Sequence, residues 1–374
     1  MSRYLIACGG TGGHLAPGIA LAEELVGRGH ECCLLISNKQ VDSRLIEKYD
    51  LFRFERLPGV GFSLNPYRAA RFFWMQGRAL VFALRLIREF NPDVIFGFGG
   101  YTSVAITISG YFRGVPVALH EANRVVGRAI RLVGRLARRV YLPVGVTLGN
   151  LGSDRVRYHG FPVRREIRRV AKSTARERLG LDPNQKLLLV LGGSQGASAL
   201  NDWVNHHLEQ LAQEGIQVYC VTGLGKGADG VFELRSRSGV TVRSVFAPFS
   251  DRMADLLSCA DLAVTRAGAG TIAELIRCRL PAILIPYPYA ADAHQLVNAR
   301  FFEQQGGGLV LPEEYLGNLF PEIREVVFND WLLRQFQINL ERMDRENTID
   351  RIVRDLDEIG REHEKTRRLN PATA

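Results

Sequence analysis

His14 closes the run Gly9-Gly10-Thr11-Gly12-Gly13-His14, which follows the apolar segment Leu5-Ile6-Ala7-Cys8. Backbone N–H groups in such a turn, ahead of a helix, attract phosphates and developing negative charge. A histidine at the rim titrates near neutral pH and can act as a general base. The alternative is a helix-capping histidine with no chemistry. A second run of this kind, Gly192-Gly193-Ser194-Gln195-Gly196, follows Leu187–Leu191. A dinucleotide site would need GxGxxG and an acid at the end of the second strand to hold the ribose. That strand ends Leu35-Ile36-Ser37-Asn38, without an acid, which argues against hydride transfer.

Four further stretches could carry chemistry. Phe98-Gly99-Gly100-Tyr101 and His120-Glu121-Ala122-Asn123 each follow a short apolar run. They fall at the carboxyl ends of expected parallel strands, where open α/β sheets bind ligands. Glu121 and Asn123 could equally be satisfied loop polars. In Arg266-Ala267-Gly268-Ala269-Gly270-Thr271-Ile272-Ala273-Glu274, small residues join a strand to a helix. Thr271 and Glu274 fit a capping box; the functional alternative is a nucleotide site with Glu274 on the ribose hydroxyls. Gln295 and Asn298, at i and i+3, share a helix face, as polar surface or as readers of sugar hydroxyls. Arg164 is a candidate for phosphates. No convincing metal site stands out, so no metal and no cofactor are expected, and a departing anion would be stabilised by N–H dipoles and arginine.

The elements that must position these residues alternate between strand and helix. Strands are expected at Tyr4–Cys8, Glu31–Ile36, Asp93–Phe96 and Pro116–His120, with helices at Pro17–Val26 and at Pro66–Phe90, the latter capped by Asn65. The pattern restarts after His159-Gly160-Phe161-Pro162, with strands at Lys186–Leu191, Gln217–Val221, Val240–Phe246, Leu262–Thr265 and Ala282–Pro286. Two tandem βαβ series give an α/β protein of two Rossmann-like, doubly wound parallel-sheet lobes facing a cleft. The expected domains are 1–161, 162–345, a helix in 346–362 packing back on the first domain, and a polar tail at 363–374 that frays from about Arg361. A length of 374 residues suits two cores.

A net charge of +9 favours an anionic partner: a phosphate ligand, an anionic membrane or nucleic acid. Cys8, Cys32, Cys33, Cys220, Cys259 and Cys278 form no CxxC pair and are expected as buried thiols of a reducing compartment. Met1-Ser2-Arg3 leads straight into a strand, with no secretory signal, and no apolar run approaches the ~20 residues that cross a bilayer. In the helix 66–90, Phe72, Phe73, Leu80, Ala83, Leu84 and Ile87 form the expected core face. Arg71, Arg78 and Arg85 lie opposite, interleaved with Trp74, Val81 and Phe82. That outer face suits an anionic headgroup layer, the alternative being an ordinary surface helix.

Six motifs occur in order: Gly9–His14 with Pro17, Gly97–Tyr101, His120–Asn123, Gly192–Ala197, Arg266–Ala269 and Gln295–Ala299. Over about residues 3–310 the set resembles the bacterial cell-wall N-acetylglucosaminyltransferases that convert lipid I to lipid II. The resemblance implies a GT-B fold and an inverting, metal-independent transfer from UDP-N-acetylglucosamine to the muramyl 4-hydroxyl of undecaprenyl-pyrophosphoryl-N-acetylmuramyl pentapeptide. It implies that Thr11, Gly12, Gly13 and Asn123 reach the donor sugar and that Arg164 and Ser194 hold the phosphates. Asn201 would join the substrate site, Ser250 would meet uracil, and Ala269, Gly270, Thr271, Ile272, Ala273 and Glu274 would line the nucleotide. Gln295 and Asn298 would read sugar hydroxyls. His14, Tyr101 and Glu121 would be catalytic, facing the acceptor, with His14 as base. The implied setting is the cytoplasmic face of the inner membrane, peripherally bound to anionic phospholipid, with other cell-wall synthesis proteins as partners and no nucleic acid. Ala122 departs from the family's usual Gln, Ser250 from an apolar residue and Gly270 from a bulkier one. Two other readings are a GT-B transferase with a different glycolipid acceptor and a non-enzymatic basic binding protein.

Overall fold

A computed structural model describes residues 1–9, 12–37, 46, 48–57, 66–149, 151–193, 197–227, 229–345 and 349–369, apart from the side chains of 12, 66–73, 345 and 367–369. The chain forms two compact units, Met1–Arg164 with Asn347–Ala374, and Arg165–Glu346.

The first unit runs β1 (Arg3–Ala7), α1 (Gly12–Gly27), β2 (Glu31–Ile36), β3 (Arg53–Arg56), α2 (Pro66–Phe90), β4 (Val94–Gly97), α3 (Gly100–Phe112), β5 (Val117–His120), α4 (Arg128–Val133), β6 (Arg139–Tyr141) and β7 (Val156–Arg157). Its parallel sheet has the order β3-β2-β1-β4-β5-β6-β7. The order reverses between β1 and β4, so the crevice beyond their carboxyl ends is the natural ligand position. Both flanking turns are glycine turns. The expected strands appear within a residue or so because strands buried on both faces read as unbroken apolar runs. The expected start of the first helix was Pro17, but α1 begins at Gly12 and carries Pro17 in its second turn. The expected Asn65 cap lies outside the described residues.

The second unit runs α5 (Lys172–Leu179), β8 (Lys186–Leu191), α6 (Ser198–Gln213), β9 (Ile216–Val221), β10 (Gly230–Arg235), β11 (Thr241–Ala247), α7 (Met253–Cys259), β12 (Leu262–Thr265), α8 (Ala269–Cys278), β13 (Ala282–Leu284), α9 (His294–Gln304), β14 (Gly308–Val310), α10 (Leu319–Val327) and α11 (Asp330–Arg345). Its order is β10-β11-β9-β8-β12-β13-β14, parallel except for the β10–β11 hairpin. Here the order reverses between β8 and β12, again where a glycine-rich turn follows each strand. One hydrogen-bond hub ties α5 to this sheet. Buried Arg176 donates to the carbonyls of Asp182 (2.9 Å), Pro183 (2.7 Å), Gln185 (2.7 Å) and Cys259 (3.3 Å) and to Asp261 Oδ2 (2.7 Å). Asp261 also accepts from Leu187 N at 2.8 Å and from Lys172.

The chain then returns to the first unit as α12 (Ile349–Leu369). Ile352, Val353, Leu356 and Ile359 enter the same core as Tyr4, Ile6, Leu15, Ile19 and Phe96. The buried hydroxyl of Tyr141 donates to Asp355 (2.7 Å) and that of Tyr4 to Asp357 (2.7 Å). Burial and the adjacent carboxylates raise both phenol pKa values. The tail was expected to fray from Arg361, yet α12 continues to Leu369 with Arg361 Nε on Asp357 O and Thr366 Oγ1 on Glu362 O. Its polar residues form the outer face of an amphipathic helix. All six cysteines are buried; burial pushes Cys32, Cys33, Cys220, Cys259 and Cys278 up to about 12.

Candidate active site

In the first unit the β1–α1 turn and the β4–α3 turn are joined. Gly9 lies so close to β2 that an added Cβ would come within 2.5 Å of Ser37 N, so no larger residue fits. Thr102 Oγ1, buried on α3, donates to Gly9 O at 3.0 Å, and Ser103 Oγ donates to Gly99 O at 2.7 Å. Gly99 and Gly100 have φ of 87° and 70°, which glycine adopts without strain. This bend carries the backbone past the imidazole of His14: an added Cβ on Gly100 would lie 3.3 Å from His14 Cε1. His14 is half-buried at the start of α1, and Tyr101 is half-buried at the start of α3. The two therefore sit at the carboxyl ends of β1 and β4, with Gly12 and Gly13 opening α1. Thr11 lies outside the described residues.

Glu121 differs from the expected catalytic placement. It is 5% exposed, and its oxygens accept from Asn123 N (2.9 Å), Asn123 Nδ2 (3.2 Å) and Gly127 N (2.6 Å). Burial raises its pKa, against the lowering effect of those bonds. A carboxylate engaged on both oxygens shapes the loop Glu121–Gly127 and presents Asn123; it is not placed to take a proton from an acceptor. His120 is buried beside it among Phe96, Phe98, Tyr141 and Phe161, and burial lowers its pKa to about 4. Its Nε2 lies 3.3 Å from Gly160 O and donates to it as the neutral ring.

In the second unit, β12 ends at Thr265 and α8 begins at Ala269. The N-cap Gly268 offers no side chain, and the first helical bond runs from Ile272 N to Gly268 O (3.0 Å). The N–H groups of Ala269, Gly270 and Thr271 therefore have no intrahelical acceptor and face the strand ends, a ready anion site. The capping box expected at Thr271 is absent because the helix starts two residues earlier, which places Thr271 inside its first turn. The side chains of Ile272 and Ala273 are buried. Glu274 remains half-buried on the same helix.

Arg266 is buried behind this turn, donating to Ile285 O (3.3 Å) and Pro286 O (3.4 Å), paired with Glu313, and stacked over Tyr287 (5.5 Å). On α9, Asn298 is buried and its Nδ2 donates to Ala267 O at 3.2 Å, bracing the turn, whereas half-exposed Gln295 accepts from Tyr287 N at 2.9 Å. Asn201 is buried, and both hydrogens of its amide go to carbonyls, Thr222 O (2.9 Å) and Lys226 O (3.0 Å), so it staples that loop. Ser250 Oγ accepts from Arg252 N at 3.2 Å in the β11–α7 turn. Arg164 is half-buried at the end of the first stretch of unit 1, and Ser194 lies outside the described residues.

On α2, Ala79, Ala83, Leu86, Ile87 and Phe90 are buried, and Trp74 and Val81 are 62% and 69% exposed. Arg78 lies over the Trp74 ring at 4.9 Å and Arg85 pairs with Glu89 at 2.7 Å. Phe82 was expected on the outer face but packs half-buried on the core, since its position turns it toward Leu86. The Arg71 side chain lies outside the described residues. No helix among the described residues is long and apolar enough to cross a membrane. Sequence reading missed Thr102, Gly127 and Arg176. Only Gly127, following the polar run 120–124, carried a signal, a glycine needed where a loop closes on a carboxylate.

The chain matches the N-terminal domain of glycosyltransferase family 28 over residues 4–142 and its C-terminal domain over 187–351. It is 54% identical over 374 residues to the UDP-N-acetylglucosamine–N-acetylmuramyl-(pentapeptide) pyrophosphoryl-undecaprenol N-acetylglucosamine transferase of Opitutus terrae, covering 100% of this chain and 99% of the relative. The enzyme of that name from Clavibacter sepedonicus is 38% identical over 323 residues, 84% of each chain. Among solved structures, MurG of Acinetobacter baumannii aligns with a TM-score of 0.66 at 25% identity, covering 91% of this chain and 94% of that one. The calicheamicin glycosyltransferase CalG4 aligns at 0.67 with 12% identity over 96% and 98%, a likeness of fold.

Proposed function

The chain belongs to glycosyltransferase family 28 and, within it, to the transferases that convert lipid I to lipid II, and from that premise we propose how its residues divide the work. The enzyme moves N-acetylglucosamine from UDP-N-acetylglucosamine to the muramyl 4-hydroxyl of lipid I. The second unit takes the donor. The N–H groups opening α8 receive the diphosphate, Glu274 takes the ribose hydroxyls, Gln295 the sugar, and the turn at Ser250 the uracil. The observation that carries this assignment is the uncapped start of α8 at the reversal of strand order. Arg164 and Ser194 add charge and hydrogen bonds to the phosphates. The first unit takes the acceptor, with His14 as base and Tyr101 beside it, while Gly12, Gly13 and Asn123 keep the role the resemblance implies, toward the donor sugar.

In the reaction the acceptor oxygen bonds to the anomeric carbon as its proton passes to His14. The bond from that carbon to the diphosphate breaks, and its electron pair leaves with UDP. Helix N-termini and arginine stabilise the departing charge, so the transfer proceeds without a metal ion. The test is transfer of labelled N-acetylglucosamine to a short-chain lipid I analogue in EDTA. Product is expected; UDP binding without product would move the enzyme to another glycolipid acceptor. Glu274→Ala is expected to weaken UDP binding about tenfold by calorimetry, the scale of a charge-assisted hydrogen bond; unchanged affinity would return Glu274 to a structural role.

We propose that the outer face of α2 rests on an anionic membrane and that the enzyme works peripherally on its cytoplasmic face, near other cell-wall synthesis proteins; the exposed Trp74 and Val81 among arginines support the membrane contact. Changing Trp74 and Val81 together to Ser is expected to reduce co-sedimentation with anionic vesicles severalfold while leaving the fold intact, since both are exposed. Undiminished binding would remove this face from the membrane. Phe82 is unsuitable for that experiment because it also supports the core.

A further inference from the structure

The segment from β13 to α9 holds two features the transfer chemistry above does not use. Its sequence, Pro286-Tyr287-Pro288-Tyr289-Ala290-Ala291-Asp292-Ala293, projects a ring from the carboxyl end of the sheet: Tyr289 is 82% exposed. That ring is nevertheless seated. Tyr289 meets Tyr287 edge-on at 5.7 Å, and Tyr287 lies against the guanidinium of buried Arg266. Two prolines fix the backbone on either side of Tyr287. Beyond it, Asp292 and Ala293 have φ of 53° and 50°, a conformation that residues other than glycine rarely adopt. Short bonds hold it: Ala290 N to Tyr287 O (3.2 Å), Ala293 N to Ala290 O (3.0 Å) and His294 Nδ1 to Ala291 O (2.8 Å).

Tyr287 N donates to Gln295 Oε1 at 2.9 Å, which ties the arm to α9, and Arg266 donates to Pro286 O at 3.4 Å, which ties it to the turn before α8. β13 is the strand next to β12, so the arm rises beside the start of α8. Whatever extends from a diphosphate seated on α8 toward β13 passes this arm. On the donor assignment above, uracil lies on the other side, at Ser250 after β11, and the group on the β13 side is the hexose. A pyranose has an apolar C–H face and a rim of hydroxyls. An exposed ring seated on Tyr287, whose backbone N–H is held by Gln295, matches both, the ring for the C–H face and the amide for the rim.

We propose that Tyr289 is the platform on which the donor's N-acetylglucosamine ring stacks, making it a specificity-determining residue for the sugar half of the donor; this rests on the donor assignment to the second unit.

The test compares UDP-N-acetylglucosamine with UDP by calorimetry on the full chain. Tyr289→Ser is expected to weaken the sugar nucleotide about tenfold and UDP less than about twofold, while Tyr289→Phe retains both affinities, since the ring and not the hydroxyl does the stacking. Equal weakening of both ligands would make the arm a structural support of the nucleotide site and overturn the proposal, as would no change in either. Transfer to the lipid I analogue by the unaltered chain is followed in the same preparation. Sugar-nucleotide binding without transfer would strike the acceptor reading alone and leave the Tyr289 comparison intact.

Discussion

Replacing His14 by alanine lowers turnover by about 10²–10⁴-fold, the range of a positioned general base, and leaves affinity for UDP-N-acetylglucosamine within about threefold. The expectation rests on where the ring sits. It packs on the Gly99–Gly100 bend, above Gly9, at the reversal between β1 and β4. Thr102 and Ser103 lock that bend to the β1 turn, so the imidazole is held by backbone whose path cannot relax. Glu274, Gln295 and the N–H groups opening α8, which are assigned to the donor, belong to the second unit. Single-turnover kinetics and donor calorimetry separate the outcomes. A parallel loss of turnover and donor affinity would make His14 a support of the turn, and a loss below about tenfold would transfer the base role elsewhere. Glu121 is not the substitute, because its carboxylate is committed to Asn123 and Gly127.

Replacing Asp261 by alanine destabilises the second unit by about 3–5 kcal/mol, the cost of leaving a buried charge without its partner. Arg176 is 2% exposed, and Asp261 is the carboxylate that balances it. Leu187 N, at the start of β8, loses its acceptor in the same substitution. The loss is read as hydrogen exchange in β8 and β12 and as a lowered thermal midpoint of the second unit; a change under about 1 kcal/mol would mean that water or rearrangement satisfies the guanidinium. Arg176→Met alone costs a comparable amount, because four carbonyls lose a donor along with the ion pair.

Much of this was legible in the sequence. Leu5–Cys8 and Leu187–Leu191 announce central strands because neither face of a parallel sheet meets water. The turns after them are recognisable because no other residue fits at positions such as Gly9. β3, β6, β7 and β14 escape because two to four residues with mixed exposure carry too little pattern, and β10 because it is an exposed, antiparallel edge. At the site, residue type identified Glu121 and Asn201 as polar and important without revealing their direction. Direction follows from partners distant in sequence or in loop geometry: Gly127 for the first, Thr222 and Lys226 for the second. The same limit applies to Asp355, whose partner Tyr141, in β6, lies 214 residues earlier in the chain.

That last pairing sets the order in which the protein matures on the ribosome. β1 to β7 are synthesised first, but the face of their sheet that holds Tyr4, Ile6 and Phe96 is covered by Ile352, Val353, Leu356 and Ile359. These emerge only after the whole of the second unit. The earlier-made unit is therefore the later-finished one, and a nascent chain carries an open apolar face while the intervening residues are translated and fold. A chain cut short before α12 lacks the residues that cover this core, and Leu15, the neighbour of His14, belongs to it.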